Sequence, residues 1–196
     1  MKKLIIMFSA ILISAHSYAQ FNKGRILAGG NVGFSNHTYK TKSAGNSANT
    51  MEKSSMFSLT PQVGYFVIDN LAVGAGLDLS VTSIKPEADI SDQNNFAFQF
   101  QPFVRYYVEP GFFVQGSYGL GSSKEKQSYQ GSSQEQKYSI SGWSIAAGYA
   151  LFINDRVALE PLLGYKSETS KDKEFDYKYI DSGLFFKLGL QVYLRD

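Results

Sequence analysis

The sequence contains no cysteine in 196 residues, which excludes disulfide bonds, thiolate metal sites and a cysteine nucleophile. Beyond residue 20 it also lacks a long apolar run, so no transmembrane helix of about 20 apolar residues is predicted there. The mean hydropathy is only -0.19. A chain of this composition could cross a bilayer only with β-strands, which place apolar residues between polar or small ones and so keep the average low.

Residues 1–19 have the pattern of a cleavable secretory signal peptide. Two lysines precede the apolar run 4–13, and the small residues Ser17 and Ala19 predict cleavage after Ala19. The apolar run is too short for a membrane anchor helix. We therefore expect residues 20–196 to form the mature chain, as a single domain, because no linker rich in proline or in glycine and serine divides them.

The predicted mature chain carries no net charge. The two lysines of the leader belong to 19 basic residues in all, which leaves 17 against 17 acidic residues. No tract of basic residues supplies the electrostatic surface that nucleic-acid binding requires. We expect no nucleic-acid partner.

Apolar residues alternate with polar or small ones in eight segments of the mature chain. In the run 71–81, leucine, valine and alanine occupy the odd positions, and alanine, glycine, aspartate and serine the even ones. A period of two is typical of a β-strand with two unlike faces. The segments begin near Ile26, Phe57, Leu71, Phe96, Phe112, Trp143, Val157 and Leu184. This pattern predicts an all-β fold, an eight-stranded antiparallel up-and-down transmembrane β-barrel.

The predicted connections are alternately short and long. Three tight turns fall at 68–70, 109–111 and 154–156. Four long polar connections fall near 40–55, 85–95, 122–137 and 167–179. Outer-membrane barrels have short periplasmic turns and longer extracellular loops, so we expect four polar loops on the extracellular side.

Three prolines disagree with simple strands. Pro61, Pro102 and Pro161 fall inside predicted strands, on the outward-facing parity, and each removes a hydrogen-bond donor from the sheet. Bulges, or strands that end earlier, are expected at these positions.

Tyrosines precede the three tight turns at similar distances. Tyr65, Tyr106 and Tyr149 would therefore lie at one membrane interface, as in an aromatic girdle, and Trp143 would contribute to the girdle at the other interface.

Charged residues within the predicted strands fall on the inward parity. A basic residue that faces lipid costs about 2–4 kcal/mol at the bilayer midplane, so this distribution supports a barrel. The predicted polar network of the lumen consists of Asp78, Arg105, Glu160 and Lys187. Such a network either fills the lumen structurally, which we favour because aromatic residues share its parity, or lines a gated path for ions.

The last predicted strand ends in Lys187-Leu188-Gly189-Leu190-Gln191-Val192-Tyr193-Leu194. This segment is similar to the C-terminal assembly signal of the small OmpA/OmpX-type barrels, the outer-membrane protein β-barrel domain family, and the resemblance extends over about residues 21–196. It implies that the outer-membrane assembly machinery reads Lys187, Gly189, Val192 and Leu194. It also implies a monomer in the outer membrane of a Gram-negative-type envelope, in contact with outer-membrane lipid and lipopolysaccharide.

Catalytic and metal-binding residues are scarce. His37 is the single histidine of the predicted mature chain. Some outer-membrane barrels modify lipid A with a histidine, a serine and an acidic residue, but no Gly-x-Ser-x-Gly turn accompanies His37, and we expect a solvated histidine at the rim. Glu87, Asp89 and Asp92 could hold Ca²⁺ only weakly, and a solvated loop is the preferred interpretation. We predict no catalytic residue, no metal and no cofactor.

Together these features predict a non-enzymatic integral outer-membrane protein that displays four polar loops for surface interaction or envelope support. The first alternative is a narrow pore for ions or very small solutes, and a lipid A-modifying enzyme ranks below it. A soluble lipocalin-like carrier would need charged residues on the outward parity of its strands, where they are scarce. No motif in the sequence identifies an extracellular partner.

Overall fold

The computed structural model describes residues 21–41, 49–86, 92–108, 111–129, 132–172 and 178–194. Within these ranges the chain forms one antiparallel sheet of nine strands. They are β1 (Ile26–Thr41), β2 (Asn49–Ile68), β3 (Leu71–Pro86), β4 (Asp92–Val108), β5 (Phe112–Tyr129), β6 (Ser132–Tyr149), β7 (Leu151–Phe152), β8 (Val157–Asp172) and β9 (Lys178–Leu194). Over the same ranges, no helix has the length and apolar character needed to cross a membrane.

The sheet closes on itself. Each strand from β1 to β6 pairs with the next along the chain, β6 pairs with β8, and β9 pairs with both β8 and β1. The two-residue strand β7 continues β6, because Gly148 lies opposite Leu162 and Leu151 lies opposite Leu159 in one unbroken register. The predicted closed, eight-stranded, up-and-down barrel is confirmed.

The strands are longer than the sequence pattern indicated. The eight long strands contain 16 to 20 residues, whereas 9–11 residues suffice to cross a bilayer. The prediction of long loops is wrong, because paired strands occupy much of the regions concerned, near 40–55, 85–95, 122–137 and 167–179. Strands β5 and β6 remain paired as far as Tyr129 opposite Ser132. The alternation of apolar and polar residues ends partway along these strands, but backbone pairing continues between polar residues.

The three prolines lie within strands, beside local gaps in the backbone pairing. The β2–β3 pairing is absent between Leu59–Leu79 and Gln62–Gly76, next to Pro61. The β4–β5 pairing is absent between Phe100–Leu120 and Phe103–Ser117, next to Pro102. Pro161 of β8 lies beside the break between β6 and β7.

The pairing register of the two strands is the same on both sides of each gap. The prediction of bulges or early strand ends at the three prolines is therefore also wrong. A proline lacks the amide proton that pairing on one side would use. On its other side each proline stays in register with a neighbouring strand, opposite Gly30, Ala75 and Leu188 respectively. The gaps therefore leave the barrel closed.

The two faces of each strand differ as the period-two pattern predicts. In β3, Leu77 is 41% exposed on the outer face, while the adjacent Asp78 is 7% exposed on the inner face. The outer face carries the large exposed apolar residues, and the inner face carries buried rings, amides and charges. The buried charged side chains, Asp78, Arg105 and Glu160, therefore all lie on the inner face, in the lumen.

Candidate functional site in the barrel lumen

Aromatic rings fill the lumen at the end that carries the short turns. This aromatic plug consists of Phe21, Phe66, Tyr107, Phe113, Phe152 and Tyr193. Phe66, Tyr107 and Tyr193 come from β2, β4 and β9, each within two residues of the end of its strand, and all three are buried. The plug closes the lumen on the turn side.

Phe21 enters the plug from outside the strands. Its ring stacks on Tyr107 with 4.1 Å between the centroids, and its carbonyl accepts a hydrogen bond from the amide of Asn70 at 2.7 Å. The amide of Gly24 donates to the carbonyl of Phe66 at 2.9 Å, and the amide of Lys23 donates to Asp69 Oδ1 at 2.8 Å. Sequence periodicity missed Phe21 because the alternation begins only at Ile26. The one available signal was an aromatic residue between the predicted leader and the first strand.

The next layer of the lumen contains a fully buried ion pair between Arg105 and Glu160. Arg105 Nη1 donates to Glu160 Oε2 at 2.7 Å, and both side chains are 0% exposed. Arg105 also donates through Nε to Gln115 Oε1 at 2.8 Å and through Nη1 to the Tyr107 hydroxyl at 2.9 Å. The Tyr193 hydroxyl donates to Glu160. These bonds tie four strands, β4, β5, β8 and β9, together across the lumen.

The ring of Phe113 completes the environment of this ion pair. Its centroid lies 4.2 Å from Arg105 Cζ, within the range of a cation–π contact. A buried ion pair is stable only when its geometry is good and its remaining polar atoms are bonded. At this pair a single nitrogen, Arg105 Nη2, has no hydrogen-bond partner.

The other two predicted lumen charges form a separate pair. Lys187 Nζ lies 2.6 Å from Asp78 Oδ2 and donates to Thr60 Oγ1 at 2.9 Å. The Thr60 hydroxyl in turn donates to Asp78 at 2.8 Å. Thr60 and Asp78 face each other at the backbone gap beside Pro61, so their side chains link β2 and β3 where backbone pairing is absent. The structure thus divides the four charges into Arg105–Glu160 and Asp78–Lys187.

A third ion pair lies further toward the hairpins. Lys166 Nζ is 2.5 Å from Glu168 Oε2, and Gln99 Nε2 donates to Glu168 Oε1 at 2.7 Å. Both charged side chains remain partly exposed. Sequence analysis missed Glu168 because it assigned this part of β8 to a loop.

A small polar cavity of about 30 Å³ lies between the buried pair and Asp78–Lys187. Its lining includes Asn31, Gln62, Gln101, Gln115, Ser117 and Lys187. Asn31 Oδ1 and Gln62 Nε2 are buried without a hydrogen-bond partner. A polar space of this size holds one or two water molecules, which would satisfy such atoms.

The predicted girdle residues all belong to the outer face. Tyr65, Tyr106 and Trp143 are about half exposed, at 45%, 51% and 50%. Tyr149 packs edge-on against Phe112, with 4.7 Å between the centroids. The three tyrosines lie near the turn ends of their strands, and Trp143 lies closer to the hairpins.

The four residues of the C-terminal segment divide between the two faces of β9. Lys187 and Gly189 face the lumen, whereas Leu194 is 41% exposed on the outer face and Val192 shares its parity. A Cβ atom on Gly189 would come within 2.5 Å of Asn31 Oδ1 and 3.3 Å of Glu160 Cβ. A larger residue here would displace the end of the Asn31 side chain and crowd Glu160, so lumen packing favours glycine at this position. Recognition by the assembly machinery stays a prediction.

Several predicted features lie outside the described residues. They are the leader 1–19 with its cleavage site, Glu87 and Asp89. The backbone of His37 lies in β1 opposite Ser54, but its side chain is outside the described part, and Asp92 begins β4. Within the described ranges, no group of three or more histidine, aspartate or glutamate side chains is placed to hold a metal ion.

Comparisons with known proteins point to one family. The model of the outer membrane protein beta-barrel domain matches residues 5–160 and 72–196. No curated protein matches the chain. The solved structure of Ail, the attachment invasion locus protein of Yersinia pestis, is 15% identical, with 88% of this chain and 99% of that chain covered and a TM-score of 0.50. At this identity the likeness shows the fold alone.

Two further solved structures are similar over most of the chain. Neisserial surface protein A is 15% identical, with 87% of this chain and 97% of that chain covered and a TM-score of 0.48. OprG from Pseudomonas aeruginosa is 12% identical, with 89% and 98% covered and a TM-score of 0.46.

Proposed function

This chain belongs to the outer membrane protein β-barrel domain family, and from that premise we propose that it acts through its polar hairpins and not through its lumen. It is an outer-membrane β-barrel, and the proposed role is non-enzymatic, in surface interaction or envelope support. The observation that carries the proposal is the fully buried Arg105–Glu160 pair resting on the aromatic plug.

Opening a path through this lumen requires the ion pair to separate and the plug to move. Inside the closed lumen, separating Arg105 from Glu160 would leave two buried charges without partners, which is strongly unfavourable. Eight strands also enclose a space that side chains can fill.

The hairpins, in contrast, offer an ordered polar surface. Strands β5 and β6 stay in register from Phe112–Tyr149 to Tyr129–Ser132, well beyond the length needed to cross a bilayer. Lys124 and Glu135 form an exposed ion pair across this hairpin at 3.6 Å. A paired ribbon presents such side chains in fixed positions, which suits recognition better than an irregular loop.

Shortening one hairpin tests the proposal. Residues 124–137 would be replaced by Asn-Gly, which closes a two-residue turn between Ser123 and Tyr138, a directly opposed pair. Cells that lack the protein would be complemented with the wild type or the shortened chain, and attachment and detergent resistance measured. We expect insertion of both chains and rescue by the wild type only. Full rescue by the shortened chain would mean that this hairpin does not perform the function.

The polar cavity supports a second candidate, a narrow pore for ions or very small solutes. Its unpaired amide atoms and the partly exposed pairs above it would favour water in the upper lumen. Purified protein in planar bilayers distinguishes the two candidates. We expect little steady conductance. A stable, ion-selective current that changes in Arg105→Ala would favour the pore and contradict a closed lumen.

A further inference from the structure

The seam between the first and last strands of the barrel is paired over only part of its length. Strand β1 pairs with β2 along its whole length, but with β9 only from Ile26–Leu194 to Gly33–Lys187. Among the described residues, 34–41 of β1 and 178–186 of β9 have no backbone partner on the seam side. The intervening strands stay paired well above this level. Above Gly33 the sheet is therefore open, and β1 and β9 are its two edges.

The pairing of the seam stops at bilayer depth. It contains eight residue pairs, whereas a strand needs about 9–11 residues to cross a bilayer. Phe34 and Phe186 follow the last pair and continue the outward apolar face of their strands. Unpaired backbone amides and carbonyls are strongly unfavourable in hydrocarbon, and open sheet edges do not face lipid. The two edges therefore require a cover within the membrane.

The two edges also carry the most exposed large apolar side chains of the described chain. Leu184, Ile180 and Phe34 are 77%, 73% and 67% exposed. Leu188, which lies opposite Val32 in the paired part of the seam, is only 37% exposed. The difference arises because an edge residue lacks a neighbour on one side. An exposed apolar edge is a template for pairing with another chain.

The two edges are complementary to each other. If the register of the lower seam continues without a shift, Phe34 lies opposite Phe186 and Thr41 lies opposite Tyr179. The edges then match in length, and their outward residues stay on the same face. Within one chain they remain separate, because the twist that accumulates across an open sheet turns its two edges away from each other. This complementarity is available to a second chain.

A second copy of the chain meets the requirements for a cover. A two-fold axis along the membrane normal gives both copies the same orientation and the same depth, and each β1 edge then faces the β9 edge of the other copy. Both pairings are antiparallel and use the register of the lower seam. Below them, the small residues Ala28 and Gly30 occupy consecutive outward positions of β1, so that two barrels can approach closely. A soluble peptide reaches only the part of the edges above the bilayer.

We propose that two copies of this chain associate through the upper parts of β1 and β9, each strand pairing with the other strand of the second copy. The pairing joins the two open sheets into one continuous platform of polar hairpins outside the membrane. This dimer departs from the monomer that the family resemblance implies. It goes beyond the proposed function, because it specifies how copies associate and not what the hairpins recognise.

The test is disulfide cross-linking in outer membranes, and the absence of native cysteine leaves only the introduced thiols to react. One chain carries Phe34→Cys, a second chain with a different affinity tag carries Phe186→Cys, and the two are produced together. In the proposed dimer these positions are directly opposed, with Cα atoms about 4.5–5.5 Å apart, within the reach of a disulfide. The matched control is Phe100→Cys with Leu120→Cys, a directly opposed outward pair of β4 and β5, far from the seam.

We expect a covalent dimer that carries both tags and is separated by a reductant. It should be roughly tenfold or more as abundant as with the control pair, because a paired interface holds the two sulfur atoms at a high effective concentration. Either seam variant produced alone should give little dimer, since the two copies of one position lie on opposite sides of the two-fold axis. If a cysteine at either position prevents folding, Asn36→Cys with Leu184→Cys makes the same comparison two residues higher.

Three results would overturn the proposal. A chain that carries both Phe34→Cys and Phe186→Cys could form the disulfide internally while the mixed chains give no dimer, which would show that the seam closes within one chain. Absence of both disulfides would show that the two edges do not pair with each other. A dimer equally abundant with the control pair would show crowding in the membrane and not a specific seam. Hairpin rescue and conductance are measured separately, so failure here leaves the proposed function standing.

Discussion

The turn half and the hairpin half of the barrel are built from the same strands, but their lumens differ. Arg105 and Glu160, three residues from the turn ends of their strands at Val108 and Val157, have fully buried side chains. The side chains of Lys187 and Asp78, further along, are 18% and 10% exposed. Those of Lys166 and Glu168, further still, are 27% and 19% exposed. Exposure of the ion pairs rises steadily toward the hairpins.

This gradient separates two physical roles. Desolvation makes each polar group of the turn half dependent on its partner. A charge that loses its partner there cannot be stabilised by water instead, because water is excluded. In the hairpin half, water competes with every contact, so single contacts contribute little and substitutions are tolerated. The turn half therefore contributes most of the lumen's stability, and the hairpin half tolerates substitution, as the proposed surface role would require.

The largest expected effect is that of Glu160→Ala. It leaves Arg105 buried without its carboxylate partner, and we expect the free energy of unfolding to fall by about 3–5 kcal/mol. Urea unfolding in lipid vesicles measures the loss. The matched control is Glu168→Ala, which breaks a partly exposed pair and should cost about 1 kcal/mol or less. Equal losses in the two variants would remove the distinction between the halves.

A double replacement sharpens the same test. Arg105→Met with Glu160→Leu removes both charges together, so no unpaired ion remains. Replacing a buried ion pair by apolar side chains of similar volume is often neutral or stabilising. We expect this variant to be more stable than Glu160→Ala alone. A loss as large as that of the single variant would mean that the hydrogen bonds of Tyr107 and Tyr193 matter more than the charge.

The lumen shows what sequence reasoning could and could not reach. The alternation of apolar and polar residues along each strand predicted that Asp78, Arg105, Glu160 and Lys187 lie on the inner face. This prediction depends only on residues that are close in sequence. Their pairing depends on relative height across the barrel, which the register of all the intervening strands determines. Arg105 on β4 and Glu160 on β8 are not on adjacent strands, so no local pattern could connect them.

Two other differences have local causes. Phe21 was missed because a single ring outside any strand has no periodicity, and only its contacts with the completed barrel end reveal its place. The hairpins were taken for loops because polar residues on both faces erase the alternation that marks a strand. The alternation of apolar and polar residues shows which face of a strand is apolar. Where both faces of a strand contact water, the alternation is absent and the strand cannot be predicted from it.

Phe21→Ala probes the turn half with an intermediate effect. The ring is 5% exposed and in contact with Phe66, Tyr107, Phe152 and Tyr193. Its removal leaves a cavity at the mouth of the barrel. Because this site can partly collapse or admit water, we expect a loss of about 3 kcal/mol, the lower end of the range for a buried phenylalanine. Phe21→Leu should recover more than half of the loss, because it restores most of the apolar volume. A loss below about 0.5 kcal/mol would mean that segment 21–25 is not part of the folded barrel end.

The smallest expected effect belongs to the Lys124–Glu135 pair of the β5–β6 hairpin. The two side chains are 57% and 39% exposed, and their charged atoms are 3.6 Å apart. At such exposure, screening and side-chain entropy offset most of the attraction, and a double-mutant cycle with Lys124→Gln and Glu135→Gln should give a coupling energy of about 0.5 kcal/mol or less. Added salt should reduce it further. A coupling energy above about 2 kcal/mol would mean that water is excluded from this hairpin. The hairpin would then behave like the buried turn half, and the proposed contrast between the two halves would be wrong.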